Sequence, residues 1–369
     1  MLKELLAERD YLPILRMSDG TPVTRETWEA RRLELRSLLE TYSYGKMPTV
    51  AVSVRATDTV RGQYHCAGKC TEETMTLVYT TERGEGRFPI QIFTPTAVKH
   101  PPVFLHIGFG LAPHKYIPVE EIIDRGYALV VVDYRDMMND NHHGDFAGGI
   151  AAHFATTADR APDEWGKIGM WAFGASRVLD YLIAARPDLD TARVALIGHS
   201  RLGKTALWCG ALDTRFAAVI SNNSGYGGAA SSKHGTGERV ASFVRAGSWD
   251  WFSESFKDYE QREDDKPYDQ SFLLALIAPR YLLVGSAEED TGADPTAEFL
   301  TTLHSSSAWE LLGEAGLVTP DALPTPGDFL GDGKILYHYR RGKHYLSRED
   351  WGAYMDYLDR AFKEVLDER

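Results

Sequence analysis

Residues 194–209 read VALIGHSRLGKTALWC, and no other stretch restricts the possible folds as tightly. Val194 to Ile197 are continuously apolar, the mark of a strand buried on both faces. From Gly203 the residues Thr205, Ala206, Leu207 and Trp208 read as the first turns of a helix. Only Gly198 to Leu202 separate the two. A strand that turns directly into a helix leaves its corner residue exposed on a tight bend, and that residue is Ser200. The common nucleophile elbow is Gly-x-Ser-x-Gly, whereas here the second glycine, Gly203, comes one place late. A serine that merely caps a helix is the competing reading.

The remainder of the chain fits a strand–helix framework. PVFLHIG (102–108), YALVVVDY (127–134), FAAVISNN (216–223), RYLLVGSAEED (280–290) and ILYHYRRGKH (335–344) read as buried strands. Helical periodicity lies between and after them, at 117–125, 167–187 and 350–366. Such alternation implies a doubly wound, mostly parallel sheet with helices on both faces, a three-layer α/β sandwich. Before it come a helix over 24–42, with Thr24 as its cap, and alternating segments at 50–57, 74–81 and 88–95. These predict an antiparallel edge to the same sheet. The 369 residues therefore read as one domain over 1–369, with an N-terminal extension over about 1–97 and an insertion near 136–165. The polar run DMMNDNHHGDFAGG (136–149) is too long for a plain connection and is expected over the top edge of the sheet.

In open α/β sheets, ligand-facing groups lie beyond the carboxyl ends of the strands. A serine nucleophile needs a base, and the base needs an acid to orient it. One later strand runs into Glu288, Glu289 and Asp290, and the next runs into His344 in a glycine-containing loop. The order Ser, Asp, His is the one this architecture uses. Asp290 is favoured over Glu289 and Glu288 because it lies farthest past the strand end. His338 alternates within a strand and reads as structural.

No metal or cofactor is implied. His142 and His143 are adjacent and point apart in most backbones, and Cys66 and Cys70 have no second ligand pair at zinc spacing. Three cysteines make no disulfide framework. The 40 basic and 53 acidic residues give a net charge of −13, which argues against nucleic acid or an anionic membrane as partner. The N-terminus MLKELLAERDYLPIL has no signal-peptide pattern, so a cytoplasmic location is expected.

The run GHSRLGKTALWCGALDTRFAAVISNNSGYGGAA (198–230) resembles the bacterial branch of the glucuronoyl esterases, carbohydrate esterase family 15. Their elbow, Gly-Cys/His-Ser-Arg-x-Gly-Lys, accounts for the late glycine. The likeness continues through WGKIGMWAFGASRVLDYL (165–182), TGERV (236–240), DQSFLLALIAPR (269–280), EEDTGADP (288–295) and GKHYLSREDW (342–351). The resemblance implies an α/β-hydrolase fold and metal-free serine esterase chemistry. It makes Ser200 the nucleophile and His344 the base, with Arg201 stabilising the oxyanion. Lys204 matches a residue that holds sugar hydroxyls, and Glu238 falls in a further sugar-binding stretch. Two positions depart from the family. Many members take the triad acid from a Glu where this chain has Asn223; others use an Asp at the position of Asp290. Where the family has Asp-x-Trp, this chain has Asp290-Thr291-Gly292 and so lacks an aromatic platform; Trp249, Trp251 or the 136–149 insertion are candidates to fill that space. The expected substrate is a small-molecule or oligosaccharide ester of a uronate. A sugar deacetylase of the same fold and a non-catalytic carbohydrate-binding descendant are the alternatives.

Overall fold

The computed structural model describes residues 1–62, 65–154 and 160–367. Residues 155–159, within the expected insertion, lie outside the described residues. The strands are β1 (Ser53–Gly62), β2 (Cys70–Thr81), β3 (Gly84–Pro95), β4 (Pro102–Gly108) and β5 (Ala128–Asp133). They continue as β6 (Asp190–His199), β7 (Ala218–Asn222), β8 (Tyr281–Ala287), β9 (Phe329–Leu330) and β10 (Ile335–Arg340). All ten form one sheet in the order β1-β2-β3-β5-β4-β6-β7-β8-β10-β9. From β5 to β10 every neighbouring pair is parallel, while β1, β2 and β3 join antiparallel and dock through β3 onto β5. The antiparallel edge therefore belongs to the main sheet, as the alternation predicts.

Helices cover both faces because the central strands bury both sets of side chains. Along β6, Val194 and Leu196 enter one core and Ala195 and Ile197 the other. The first core packs the helices Lys167–Ala185 and Arg201–Leu212, and the second packs Val119–Asp124 and the closing helix Arg348–Asp367. Among the described residues no helix is long and apolar enough to cross a membrane.

The sequence places the first long helix too early. It runs Trp28–Leu39 and continues as a π-turn, Glu40–Tyr44. Thr24 does not cap it: the Thr24 N–H donates to Thr27 Oγ1 at 2.8 Å, and Thr27 N–H returns to the Thr24 carbonyl at 3.1 Å. That closed turn consumes the groups a cap would use. His338 is buried in β10 with Nε2 3.5 Å from the Asp350 carboxylate, in line with a structural role.

Candidate active site

The parallel strands all end on one side of the sheet, and the loops that follow them build the site. Ser200 stands between β6 and the helix Arg201–Leu212 with φ 59° and ψ −128°, a strained backbone for a residue with a Cβ. Two glycines make the corner possible. A Cβ on Gly198 would lie 1.9 Å from the Leu202 carbonyl oxygen, and one on Gly203 would lie 3.0 Å from Ser224 Cβ. The late glycine is thus the point where the helix passes the loop after β7. Ser200 N–H donates to the Asn222 carbonyl at 2.9 Å, tying the corner to the next strand.

Ser200, Arg201, Lys204, Glu238, Asp290 and His344 all line one cavity of about 250 Å³. A larger hollow of about 370 Å³ beside Tyr281, Lys334 and Tyr357 lies by the opposite end of β8 and brings no serine and histidine together. Asp290 is 8% exposed, while Glu288 and Glu289 are exposed. Its Oδ2 accepts from His344 Nδ1 at 2.6 Å and from Asn223 Nδ2 at 2.9 Å. Burial works to raise this carboxyl, but the bonds from His344 and Asn223 outweigh it and hold the group below its ordinary value. With Nδ1 bonded to Asp290, the other ring nitrogen of His344 is left for chemistry. Ser200 and His344 open on the same cavity without a hydrogen bond between them, a common arrangement before substrate closes such a pair.

His199, next to the serine, faces the same base. Its ring centre is 4.6 Å from that of His344. Asn222 donates through Nδ2 to Tyr354 at 2.9 Å, so its Oδ1 accepts from His199 Nδ1 at 2.7 Å and places the proton there. Burial, then the charge of His344, push His199 down to about 3, so it supports its neighbour as a neutral ring.

Lys204 is 3% exposed, which removes the alternative of a solvated helix lysine. Its three ammonium directions go to the carbonyls of Ser224 (2.5 Å) and Tyr226 (2.7 Å) and to Glu238 Oε2 (3.1 Å). Glu238 is 40% exposed and keeps acceptor capacity toward the cavity. Trp251 lines the cavity, whereas Trp249 lies outside it, with the Lys257 ammonium 3.7 Å from its ring centre.

A serine at a strained elbow beside an Asp–His pair is shared by many hydrolases, so relatives decide between them. The profile of the glucuronyl esterase family, described from fungi, matches residues 78–313. A carbohydrate esterase from an unknown prokaryotic organism is 33% identical over 93% of this chain and 87% of its own length. The chain belongs to the glucuronoyl esterase family. A glucuronoyl esterase from Solibacter usitatus superposes with a TM-score of 0.85 at 33% identity, covering 95% of this chain and 97% of that one. A promiscuous family 15 esterase from a marine bacterial metagenome gives 0.84 at 32% identity over 95% and 96%. The fold is accordingly the α/β-hydrolase fold and the chain is a carbohydrate ester hydrolase.

Sequence reasoning missed one buried support of this glucuronoyl esterase site. Glu298, in the helix Pro295–Ser305, accepts the Ser224 and Gly225 N–H groups, each at 2.9 Å, and contacts Ser286 Oγ at 2.5 Å. It thereby pins the loop whose carbonyls hold Lys204. Burial raises its carboxyl from 4.5 to about 8. Across that range the folded chain holds a proton that the unfolded chain has released. This contribution to stability is complete below 4.5 and is lost as pH rises through about 8. Glu298→Gln keeps the acceptor and can donate to Ser286. The melting temperature of wild type is expected to fall more steeply from about pH 5 to about pH 8 than that of Glu298→Gln; equal slopes in thermal denaturation would remove the argument. A lone Glu inside a helix carries no local signal of this role.

Proposed function

We propose that the chain hydrolyses a small ester of glucuronate or a related uronate through an acyl-enzyme. Ser200 Oγ attacks the ester carbonyl while its proton passes to His344 Nε2, and Asp290 stabilises the imidazolium. The N–H of Arg201, at the first helical position where the helix ladder does not need it, and the guanidinium receive the oxyanion. His344 then protonates the departing alcohol as the acyl-enzyme forms; in the second half it takes a proton from the attacking water and returns it to Ser200 Oγ as the acid leaves. Atoms and charges balance without a metal.

The observation that carries the substrate class is the Lys204–Glu238 pair on the cavity wall, one helical turn from Ser200. In a glucuronoyl ester the acyl group is itself the sugar, so its hydroxyls must be held beside the nucleophile. Glu238 accepts a hydroxyl, and Lys204 fixes Glu238 and the Ser224–Tyr226 loop. A curated relative from Schizophyllum commune, 28% identical over 80% of this chain, is a 4-O-methyl-glucuronoyl methylesterase. At about 250 Å³ the cavity lies just below the usual small-molecule range of about 300–1,000 Å³, which suits one ring and its ester. An acetyl ester leaves the pair without a role. The test compares methyl and benzyl glucuronate with an aryl acetate on wild type and Ser200→Ala; faster turnover of the acetate at saturation would shift the reading to a deacetylase.

Gly292 lines the same cavity, and a Cβ there meets nothing within 4 Å. Gly292→Trp is therefore expected to lower KM for benzyl glucuronate about five-fold, the yield of one aromatic contact worth ~1 kcal/mol, with kcat nearly unchanged. An unchanged KM would show that this wall does not meet the substrate.

A further inference from the structure

The loop between the short helices Tyr134–Met137 and Gly149–His153 reaches the site through one carboxylate. Asp140 Oδ2 accepts from Arg201 Nη1 and from Tyr134 OH at 2.9 Å, and its Oδ1 accepts from Trp251 Nε1 at 2.8 Å. The Arg201 guanidinium lies 4.4 Å from the centre of the Trp251 ring. Asp140 engages Nη1 alone, and Arg201 Nε is buried with no hydrogen-bond partner among the described residues. The guanidinium is thus held at one corner with donor capacity left over.

The anchor of this carboxylate is itself buried. Lys167 and Asp250 form an ion pair at 2.9 Å, both fully buried, and Lys167 also holds the Asn141 carbonyl. Asp250 accepts the Gly144 N–H at 3.1 Å, and His143 N–H donates to the Gly247 carbonyl at 2.9 Å. These bonds clip the Asp140 loop to the turn that carries Trp251. An exposed Arg–Asp pair contributes little. This one joins three donors from three separate elements at the rim of the cavity, where an arginine must be oriented before the reaction to act on developing charge.

We infer that Asp140 is a positioning residue for the hydrolysis: it sets the Arg201 guanidinium against Trp251 so that Nη2, which Asp140 does not engage, faces the oxyanion. The inference rests on the serine esterase reading above, not on the uronate substrate, so the probe is 4-nitrophenyl acetate with Ser200→Ala as blank. Asp140→Asn can still accept from Trp251 but turns an NH2 toward the guanidinium. It is expected to lower kcat by about 10- to 100-fold, as small misplacements do, with KM within about three-fold. Asp140→Ala is expected to match that kcat and also to raise KM by freeing Trp251. In an Arg201→Ala background the same Asp140→Ala change is expected to alter kcat less than about two-fold, because the two residues act as one unit. A wild-type kcat in Asp140→Asn, or losses from Asp140→Ala and Arg201→Ala that multiply, would overturn the inference. A crystal structure of Asp140→Asn supplies a readout independent of turnover: a guanidinium still seated on Trp251 also overturns it. Loss of uronate specificity with Ser200-dependent acetate hydrolysis intact would sink the substrate reading alone.

Discussion

Ser200→Ala is expected to lower kcat for ester hydrolysis by roughly 10⁵–10⁶-fold while leaving substrate affinity within a few-fold, since removing the nucleophile of a serine hydrolase costs about that much. The expectation follows from how the corner is built. Ser200 is held at φ 59° by a backbone bond to Asn222 and by a glycine that cannot carry a Cβ. No neighbouring hydroxyl can take over: Ser224, also on the cavity wall, has its Oγ bonded to the Ala229 N–H at 2.8 Å and to Glu298. Alanine fits the same corner, so the fold and the cavity persist and the loss belongs to chemistry. Pre-steady-state turnover with a chromogenic ester checks it. A purified Ser200→Ala protein within about ten-fold of wild type would end the covalent mechanism.

The second large effect is at Asp290. Asp290→Asn is expected to reduce kcat by about 10⁴-fold, because an amide in that place favours the wrong tautomer of the base. Oδ2 of Asp290 receives two donors at once, His344 Nδ1 and Asn223 Nδ2. An amide NH2 at that corner would face both. Asn223 cannot substitute as the acid, since it is neutral and already donates to Asp290. Glu288→Gln and Glu289→Gln, at exposed positions, are expected to stay within about two-fold of wild type, as surface changes usually do. Comparable losses at Glu289 and Asp290 would move the acid to the wrong carboxylate.

Some of the site was legible because its cause is local. Gly198 is four positions from Leu202, whose carbonyl forbids it a Cβ, so the corner is written into one short string, although the clearance Gly203 gives is toward Ser224 in the next loop. Gly-His-Ser-Arg-x-Gly-Lys could be matched to a family for the same reason. The position of Asp290 at the end of β8 and of His344 beyond β10 followed from strand order, since parallel neighbours deliver their carboxyl ends to one side. The first helix was misplaced because Thr24 and Thr27 bond each other, a choice between two turns that propensity does not separate.

Other parts depended on contacts that no window of sequence contains. Lys204 reads as a substrate ligand or a solvated lysine, and the structure shows a third arrangement, a buried ammonium bonded to two carbonyls and Glu238. Asp140 meets Arg201 and Trp251 although 61 and 111 positions separate it from them. Asn223, noted for the acid it lacks, turns out to serve the acid that replaces it.

What the sequence determined alone was the layered architecture, the serine at the strand-to-helix corner and the order in which its partners follow. Each of these arises from periodic burial or from sterics within one turn, and both are properties of neighbouring residues. The tertiary structure decided which of three acids reaches the imidazole, what holds the arginine, and which aromatic ring walls the cavity. Those outcomes depend on where separate loops return above the sheet, and the direction of a returning loop is set by packing and buried ion pairs between elements far apart in the chain.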